Sequence, residues 1–489
     1  METLTSLYKS SLTLLTDLYQ LTMACAYWKV GVADREAAFH LLFRKQPFGG
    51  GYAIACGLHY VIDYIRSLKF EASDLEYLAT LTGNDGKPLF DGGFLNYLRD
   101  VTVQLDIDAA PEGTVVFPNE PILRVRGPIL CAQIVETALL NMINFQTLIA
   151  TKASRICLAT RGEPVMEFGL RRAQGIDGGI AASRAAFVGG CSATSNLLAG
   201  KLFGIPVGGT HAHSWVMSFS DEIDAFDSYA SALPNNCVFL VDTYNTLQGV
   251  RHAVKIGKKL RAHGHDMIGI RLDSGDLAYL SIEARKILDA NGFENAKILA
   301  SNDLDEQIIN SLKDQDAKIN VWGVGTKLAT AYDQPALGGV YKLGAVRDGS
   351  GKWQYKLKLS EQTAKISVPG VLQVMRFSDE NNFVADAIYN EPDLPAGDIT
   401  IVDPNDMTRR KLLPVTLRSE NLLVPIFRKG ELVYSPPTLA DVQKRTAEQL
   451  SKLHPGIKRF VHPHQYPVGL ERNLHEMRTE LILKARGEC

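Results

Sequence analysis

The sequence predicts an α/β protein: an irregular TIM-like α/β barrel with an N-terminal α+β domain that is completed by C-terminal chain. Beyond Cys131, short apolar strands alternate with polar or glycine-rich turns and with helical patterns. Polar side chains gather where these strands end. Strand-like segments with turn signals flank this region on both sides. We therefore expect an N-terminal domain over 1–130, a barrel over 131–342, and a strand-rich return segment with a helical tail over 343–489.

Length and composition agree with a globular protein of two or three domains. The chain has 489 residues, of which 46% are hydrophobic and 22% charged. The net charge is -2, and the basic residues are interspersed with acidic ones and form no basic stripe, so a nucleic-acid partner is not expected. No apolar run reaches the roughly 18 residues of a membrane span.

Cysteine usage and the N-terminus predict a cytoplasmic location. The seven cysteines are scattered and form no CxxC pair, which is typical of a reducing compartment. The first twenty residues lack the basic flank, apolar run and small-residue cleavage site of a secretory signal.

The first element is predicted to be a helix from Thr16 to Val30, with Thr16 as its N-cap and Gly31 as its stop. Tyr19 lies about 100° around the helix from the apolar stripe, so either a packing role or an outside contact is open to it. The residues expected to form the buried stripe are Leu14, Leu18, Leu21, Cys25 and Trp28.

The remainder of the N-terminal segment reads as strands over 37–43 and within 101–125. The run Gly49-Gly50-Gly51 between them is not followed by a helix in a strand-turn-helix unit, so it is no dinucleotide fingerprint. It predicts a turn at which the backbone comes close to another group.

The barrel strands are near-continuous apolar runs, which indicate a parallel sheet covered on both faces. Their predicted ends lie at 165–168, 207–210, 239–242, 269–273, 298–302 and 321–325. Residues at the carboxyl ends of such strands carry the chemistry of barrel enzymes. A single aspartate there, such as Asp273, can equally be a helix N-cap. The polar residues at these ends are Glu167, Thr210, Asp242, Arg271, Asp273, Asn302 and Thr326.

Beyond Leu343 we expect strands at 356–360 and 371–374 and a final amphipathic helix over 439–453. This return segment is expected to close onto the N-terminal domain. His462 and His464 in the tail are interpreted as loop residues, because no acidic or cysteine partner sits nearby.

The stretch from Gly208 to Trp215 places His211 and His213 beside Thr210 and Ser214 at a strand end. An imidazole in such a setting can be a nucleophile, an acid-base group or a metal ligand. The residues of this stretch leave these three roles open.

Two segments suit phosphate. Arg171 and Arg172 follow a strand at an expected helix start, which favours an anion site over a solvated Arg-Glu pair. Gly323 and Gly325 expose backbone amides at a later strand end, and Thr326 adds a hydroxyl. No P-loop motif is present.

Arg271 and Asp273 alternate with apolar residues and therefore share one face of their strand. Arg271 could form two hydrogen bonds to a substrate carboxylate, while Asp273 and Asp242 could bind ribose hydroxyls or magnesium. This arrangement suits a phosphoribosyl group and an acidic acceptor.

Seven segments in order along most of the chain resemble the nicotinate phosphoribosyltransferase family, whose fold is that of the type II phosphoribosyltransferases. The resemblance implies that nicotinate and phosphoribosyl pyrophosphate (PRPP) form nicotinate mononucleotide and pyrophosphate, the first step of NAD salvage from nicotinate, in a homodimer. The segments are 16–20, 48–50, 167–175, 209–214, 241–244, 271–276 and 325–326.

The resemblance also implies ATP as co-substrate, Mg²⁺, and a transient phosphohistidine at His213, while His211 occupies a variable position of the motif. Tyr19, Phe168, Thr210 and Arg271 would contact nicotinate, with Tyr19 reaching the neighbouring subunit. PRPP would face Arg171, Arg172, Gly325 and Thr326, and Asp242 and Asp273 would act with His213 in catalysis.

Three alternatives remain at the level of sequence. The same chemistry on nicotinamide shares most of these motifs but would not need an arginine for a carboxylate. A metal-dependent barrel hydrolase could use His211 and His213, although His252, His263 and His265 precede a strand and so belong to the opposite barrel end. A non-catalytic barrel is disfavoured because no residue needed for the reaction is missing.

Overall fold

The computed structural model describes residues 11–362 and 365–487, which form two compact units. The first unit contains the chain up to Thr147, then Ala336–Thr438, and the chain from Glu448 onward. The second contains Leu148–Pro335 and Leu439–Ala447. The predicted domain limits at 130 and 342 stay a prediction, and Cys489 lies outside the described residues.

The first unit joins N-terminal and C-terminal strands in one seven-stranded sheet. Its strands in spatial order are Trp353–Tyr355, Val340–Arg347, Glu36–Leu42, Leu123–Pro128, Asp106–Ala109, Val424–Arg428 and Glu431–Leu432. The central pairing places Phe39 opposite Leu343 on one side and Val125 on the other, and both pairs are antiparallel. The late chain therefore completes the N-terminal sheet, as the sequence predicts.

A second, six-stranded sheet is built from the return segment alone. Its order is Arg410–Leu413, Ile399–Val402, Val468–Glu471, Phe383–Asn390, Leu372–Ser378 and Arg418–Asn421, and a short pair joins Ala53–Ile54 to Val115–Val116. The helices that lie in or start in this unit are Leu18–Lys29, Leu58–Ser67, Ala72–Ala79, Gly92–Asp100, Ile129–Ile134, Glu136–Ala159 and Arg472–Arg486, with 3-10 turns at Pro47–Gly49, Glu391–Asp393 and Pro455–Lys458.

The first helix differs from the prediction at its start. Asp17 is the N-cap and forms a capping box with Gln20, whereas Thr16 hydrogen-bonds the Gln20 side chain instead. Leu18 is 54% exposed and so does not belong to the buried stripe. The predicted strand at 356–360 is also wrong, because the strand of this region ends at Tyr355.

The glycine run does lie at a close approach. A Cβ added at Gly51 would overlap the backbone carbonyl oxygen of Ile457. The neighbouring Phe48 has a φ of 58°, in the left-handed region that non-glycine residues rarely adopt.

The second unit is an α/β barrel whose sheet has six parallel strands. They are β1 (Val165–Glu167), β2 (Ala193–Thr194), β3 (Val238–Leu240), β4 (Gly269–Leu272), β5 (Lys297–Ala300) and β6 (Val321–Val324). Their order is β2-β1-β6-β5-β4-β3, and a single parallel bridge from Thr194 to Val207 extends the β2 edge. A strand at 207–210 was expected, but Val207 alone pairs, and the sequence did not predict β2.

Helices cover the barrel strands in the alternating pattern that the sequence predicts. The strand residues Ile270, Leu272 and Trp322 are fully buried. No helix in the described part of the chain is both long and apolar enough to cross a membrane. The helices are Ile176–Val188, Leu197–Phe203, His213–Met217, Glu222–Ala232, Thr246–Ala262, Leu277–Asp289, Glu306–Asp314, Thr326–Ala329 and the shared Leu439–Ser451, with a 3-10 turn at Leu170–Arg172.

Candidate active site

Arg271, the third residue of β4, is locked in place at the carboxyl ends of the barrel strands. Its Nε donates to Ser301 Oγ at 2.8 Å and its Nη1 to Thr210 Oγ1 at 3.0 Å. Its Nη2 donates to Asp273 Oδ1 at 2.8 Å. The three partners come from three different segments, so the guanidinium holds the barrel mouth together and is itself fixed in orientation.

Asp273 is an ionised partner of this arginine. Burial by itself would raise the pKa of Asp273, but the Ser301 hydroxyl and the Arg271 guanidinium outweigh burial and hold the pKa below its usual value. The helix that follows begins at Leu277 and is capped by Asp276, so Asp273 is not a helix cap. Helix capping therefore does not explain the position of this carboxylate.

Asp242 lies beside Asp273, and only one of its two carboxylate oxygens is hydrogen-bonded within the described residues. Its Oδ2 accepts from the backbone N–H of Asp273 at 2.8 Å and from Ser274 Oγ at 2.7 Å. Its Oδ1 is buried without a hydrogen-bond partner among the described residues. The next helix is capped by Asn245, so helix capping does not explain Asp242 either. An unpartnered buried carboxylate oxygen is suited to a ligand hydroxyl or a cation.

His213 opens the helix His213–Met217 and points toward the same mouth. Its Nδ1 lies 3.1 Å from Thr243 Oγ1, and its Nε2 lies 3.6 Å from Asp273 Oδ2. The side chain is 37% exposed. A hydroxyl and a carboxylate thus orient the imidazole while it stays accessible to a ligand.

His211 has a different, structural role. Its Nε2 accepts a hydrogen bond from the backbone N–H of Leu240 in β3 at 3.3 Å, and its Nδ1 lies 3.5 Å from the Ala212 carbonyl oxygen. Burial among Phe226, Tyr229 and Phe239 lowers the pKa of His211 to about 4. The ring is therefore neutral, and the lone pair that a metal would need is already used.

The metal-hydrolase alternative loses its support for this reason. His211 and His213 do not converge, since one faces the β3 backbone and the other faces Asp273. Within residues 11–362 and 365–487, no group of three or more His, Cys, Asp or Glu side chains is placed to hold a metal.

Arg171 and Arg172 lie on the 3-10 turn Leu170–Arg172 after β1, not at a helix start as expected, because the helix begins at Ile176. Both are exposed, and neither guanidinium has a hydrogen-bond or ion-pair partner in the described chain. The Arg-Glu pair considered from the sequence is absent there. Glu167 instead forms a buried network with Ser183, Thr194 and the Gly169 backbone.

The β6 end provides a glycine-lined corner. A Cβ added at Gly323 would overlap the ring of Phe168, and one added at Gly325 would press on the Phe168 carbonyl oxygen. Thr326 begins the one-turn helix that follows. Phe168 itself lies 5.6 Å from the guanidinium carbon of Arg271, measured to its ring centroid. Asn302, at the end of β5, is exposed and has a φ of 97°.

Tyr19 belongs to the first unit, where it is 47% exposed. Its hydroxyl accepts a hydrogen bond from Gln20 Nε2 at 3.1 Å. Burial, followed by the nearby Glu136 carboxylate, raises the pKa of this phenol. Because the ring is half exposed, Tyr19 remains accessible for a contact outside its own helix.

The structure brings together Thr210, His213, Asp242, Arg271 and Asp273, as expected from their strand-end positions. It adds three hydroxyl residues to which the sequence analysis gave no role: Thr243, Ser274 and Ser301. Ser301 directly follows β5, so its strand-end position was a usable signal.

Comparison with known proteins gives one consistent result. Family models described as the N-terminal domain, the family region and the C-terminal domain of nicotinate phosphoribosyltransferase match residues 14–144, 164–349 and 372–478. A Bacillus subtilis nicotinate phosphoribosyltransferase is 44% identical, over 98% of this chain and 96% of its own length. The human protein of the same name is 34% identical over 96% of both chains.

Solved structures agree. The crystal structure of human nicotinic acid phosphoribosyltransferase matches with a TM-score of 0.84 and 33% identity, over 96% of this chain and 100% of that one. A nicotinate-nucleotide pyrophosphorylase from Pyrococcus furiosus, at 23% identity and a TM-score of 0.66, shares the fold. The predicted fold class is confirmed.

Proposed function

This chain belongs to the nicotinate phosphoribosyltransferase family, and we propose that it joins nicotinate to PRPP at the barrel mouth in a reaction coupled to ATP hydrolysis. The products are nicotinate mononucleotide and pyrophosphate, which makes the enzyme part of NAD biosynthesis. The observation that carries the assignment to this site is the fixed Arg271 between Thr210, Ser301 and Asp273.

Arg271 is suited to the nicotinate carboxylate. A guanidinium has five N–H donors, and three are used within the protein. One N–H on each terminal nitrogen is left, which is what a two-point contact with a carboxylate requires. The ring of Phe168 offers an apolar surface for the pyridine beside it. Thr210 completes the pocket, and Tyr19 of a second copy is proposed to cover it.

The PRPP group is proposed to lie between the β1 and β6 ends and the acidic pair. The unpaired Arg171 and Arg172, with the amides of Gly325 and Thr326, supply positive potential for the pyrophosphate. As pyrophosphate leaves, the ribose becomes oxocarbenium-like, and the carboxylates of Asp242 and Asp273 steady that charge. The nicotinate nitrogen then attacks the anomeric carbon.

Magnesium fits this site as a partner of the substrate phosphates. Mg²⁺ in such sites is held by one or two carboxylates together with phosphate oxygens, and the unpartnered Oδ1 of Asp242 offers such a ligand. When bound, the ion neutralises charge on the departing pyrophosphate. Asp242 would hold it, with Asp273 fixed nearby by Arg271.

His213 is the proposed phosphate acceptor from ATP. Its accessible imidazole is oriented by Thr243 and Asp273, so phosphorylation would place new negative charge directly against the Asp273 carboxylate. We infer that this charge rearranges the mouth around the substrates and thereby couples ATP to their affinity. The imidazole need not touch the ribose.

The test is nicotinate mononucleotide formation with and without ATP and Mg²⁺, while ADP release is followed. His213→Asn should make product without matching ADP and lose ATP stimulation. His265→Asn is the matched control, since His265 is a half-buried histidine of the same unit whose Nδ1 lies 2.8 Å from Asn235 Oδ1. ADP release that still matches product in His213→Asn would refute the phosphohistidine. Absence of product from nicotinate in the wild type, with product from nicotinamide, would favour the amide substrate.

Two further proposals concern the setting of the enzyme. We expect a homodimer, measurable by light scattering, because the family resemblance implies that Tyr19 reaches the site of a neighbouring subunit. We also expect a cytoplasmic location. The six cysteines of the described residues are all free thiols, which supports a reducing compartment. Fractionation of the cell of origin would test the location.

A further inference from the structure

Glu167, the last residue of β1, is a buried carboxylate that the proposed reaction leaves without a role. It is 1% exposed, and no lysine, arginine or histidine of the described chain forms an ion pair with it. A carboxylate removed from water without a cation beside it is costly unless hydrogen bonds replace the lost solvation. Its place at the carboxyl end of a barrel strand points to a role in the site.

Three donors supply these hydrogen bonds, and they reach the two carboxylate oxygens from different segments. Oε1 accepts the backbone N–H of Gly169, two residues further along the chain. Oε2 accepts the hydroxyl of Thr194 in β2 at 2.6 Å and that of Ser183 in the helix Ile176–Val188 at 2.8 Å. Glu167 therefore joins β1, β2 and a covering helix to the turn that follows β1.

Asn196 holds the two hydroxyls in place. Its backbone N–H donates to Thr194 Oγ1 at 3.0 Å, and its Nδ2 donates to Ser183 Oγ at 3.1 Å. A hydroxyl has only one proton to donate. The Thr194 hydroxyl has Glu167 as its acceptor, whereas Ser183 Oγ also lies 3.0 Å from the Gly179 carbonyl oxygen. Thr194 is therefore the more dedicated of the two hydroxyl donors.

The turn that Glu167 holds carries Arg171 and Arg172. Gly169 is the N-cap of the 3-10 turn Leu170–Arg172, so the N–H that Glu167 accepts lies at the start of this turn. Both guanidiniums are exposed and have no partner in the described chain. No contact of their own orders the two side chains, so the backbone of the turn decides where they project.

Gly169 is confined on its other side as well. A Cβ added there would overlap the Cβ of Ala329 and crowd the Gly325 carbonyl oxygen. The Gly169 backbone is thus held between the Glu167 carboxylate and the β6 end. This fixes the point at which the turn leaves the barrel, next to the amides proposed above for PRPP.

The proposed nicotinate pocket has separate support. Phe168 follows Glu167 directly, but its backbone N–H donates to the Val324 carbonyl oxygen of β6 at 2.8 Å, and its ring packs on Gly323. Arg271 takes its three partners from other segments. A loss of the Glu167 carboxylate should therefore act on PRPP and spare nicotinate.

We propose that Glu167 is a positioning residue for PRPP, whose carboxylate fixes the Gly169 backbone and thereby places Arg171 and Arg172 for the pyrophosphate. Because it is buried, the carboxylate itself does not touch the substrate. This inference rests on the proposed function, since it requires the two arginines to face PRPP.

The first test is the KM of each substrate in Glu167→Met, which keeps a side chain of similar length but removes both oxygens. The KM for PRPP should rise roughly tenfold or more, while the KM for nicotinate should stay within about twofold. Glu167→Gln keeps an acceptor for the Gly169 N–H and should lie closer to the wild type. Glu163→Gln is the matched control, because Glu163 precedes β1 at the opposite barrel end, where it accepts from Lys313 and Trp322, and should leave both KM values unchanged.

A double-mutant cycle separates positioning from general damage to the fold. With Arg171→Ala and Arg172→Ala already present, Glu167→Met should change the KM for PRPP by less than about twofold, because no guanidinium is left to place. A full further rise in that background, an equal rise for both substrates in Glu167→Met alone, or an unchanged KM for PRPP would each overturn the inference. If the arginine changes alone leave the KM for PRPP unchanged, the PRPP assignment of the proposed function is wrong and the inference is overturned with it.

A second pair of variants leaves Glu167 in place and decides the question where Glu167→Met does not unfold cooperatively in urea. Thr194→Val removes the 2.6 Å hydrogen bond to Glu167, whereas Thr194→Ser keeps a hydroxyl there. The KM for PRPP should rise about threefold or more in Thr194→Val and stay near the wild-type value in Thr194→Ser. Equal values in the two variants would overturn the inference.

Discussion

Replacing His211 by phenylalanine tests whether this histidine is a neutral structural acceptor. Phenylalanine keeps the packing against Phe226, Tyr229 and Phe239 but leaves the Leu240 N–H without its acceptor. An orphaned buried donor costs about 1–3 kcal/mol. At pH 7.5 the variant should therefore have a free energy of unfolding lower than the wild type by that amount.

The difference must shrink in acid. The pKa of His211 falls from 6.5 to about 4 on burial, so the unfolded chain binds the extra proton between these values. Stability from His211 is fully present above pH 6.5 and is lost as the pH falls toward 4. With about 1.36 kcal/mol per pKa unit, the wild type loses about 2 kcal/mol from this residue between pH 7.5 and pH 5. Phenylalanine loses none.

The assay is urea unfolding of both proteins at pH 7.5 and pH 5. The free energies of unfolding are compared where both proteins have the same m-value, the slope of that free energy against urea concentration. His40, whose burial lowers its pKa to about 3, titrates in both proteins and cancels. Tyr229→Phe is the control, since it alters the same aromatic cluster without touching the hydrogen bond and should show no pH-dependent gap. A gap between wild type and His211→Phe that is equal at both pH values would refute a buried neutral His211.

Three further outcomes are expected. Arg271→Lys should lower kcat/KM for nicotinate by roughly 100-fold, because lysine cannot contact a carboxylate at two points; an unchanged KM would contradict the contact. Asp273→Asn should lower kcat with saturating substrates, measured by product formation, since the negative charge that lies beside His213 and is proposed to face the ribose is lost; wild-type turnover would exclude that role. Gly51→Ala should lower the free energy of unfolding by more than about 1 kcal/mol in urea titrations, because the added Cβ would overlap the Ile457 carbonyl oxygen. Gly92→Ala is the control: its added Cβ meets no atom within 4 Å, so the free energy of unfolding should not change.

Much of the candidate site was predictable because strand ends obey a simple rule. Parallel strands expose their last residues at one edge, so Asp242, Arg271 and Asp273 had to lie near each other once the apolar runs were recognised. The same rule failed at 207–210, where Gly208 and Gly209 lie in a loop and only Val207 pairs. It also missed β2, whose two residues are too short for any periodic signal.

The sequence by itself determined the alternation of strands and helices, the family, and the residue types at the barrel mouth, because these depend on local patterns of apolar, glycine and polar residues. Only the tertiary structure showed that the two neighbouring histidines have different surroundings. His211 and His213 are two residues apart, yet one is buried against the β3 backbone and the other faces Asp273. Burial and hydrogen-bond partners across the chain set the charge of an imidazole, and neither is encoded in its immediate neighbours.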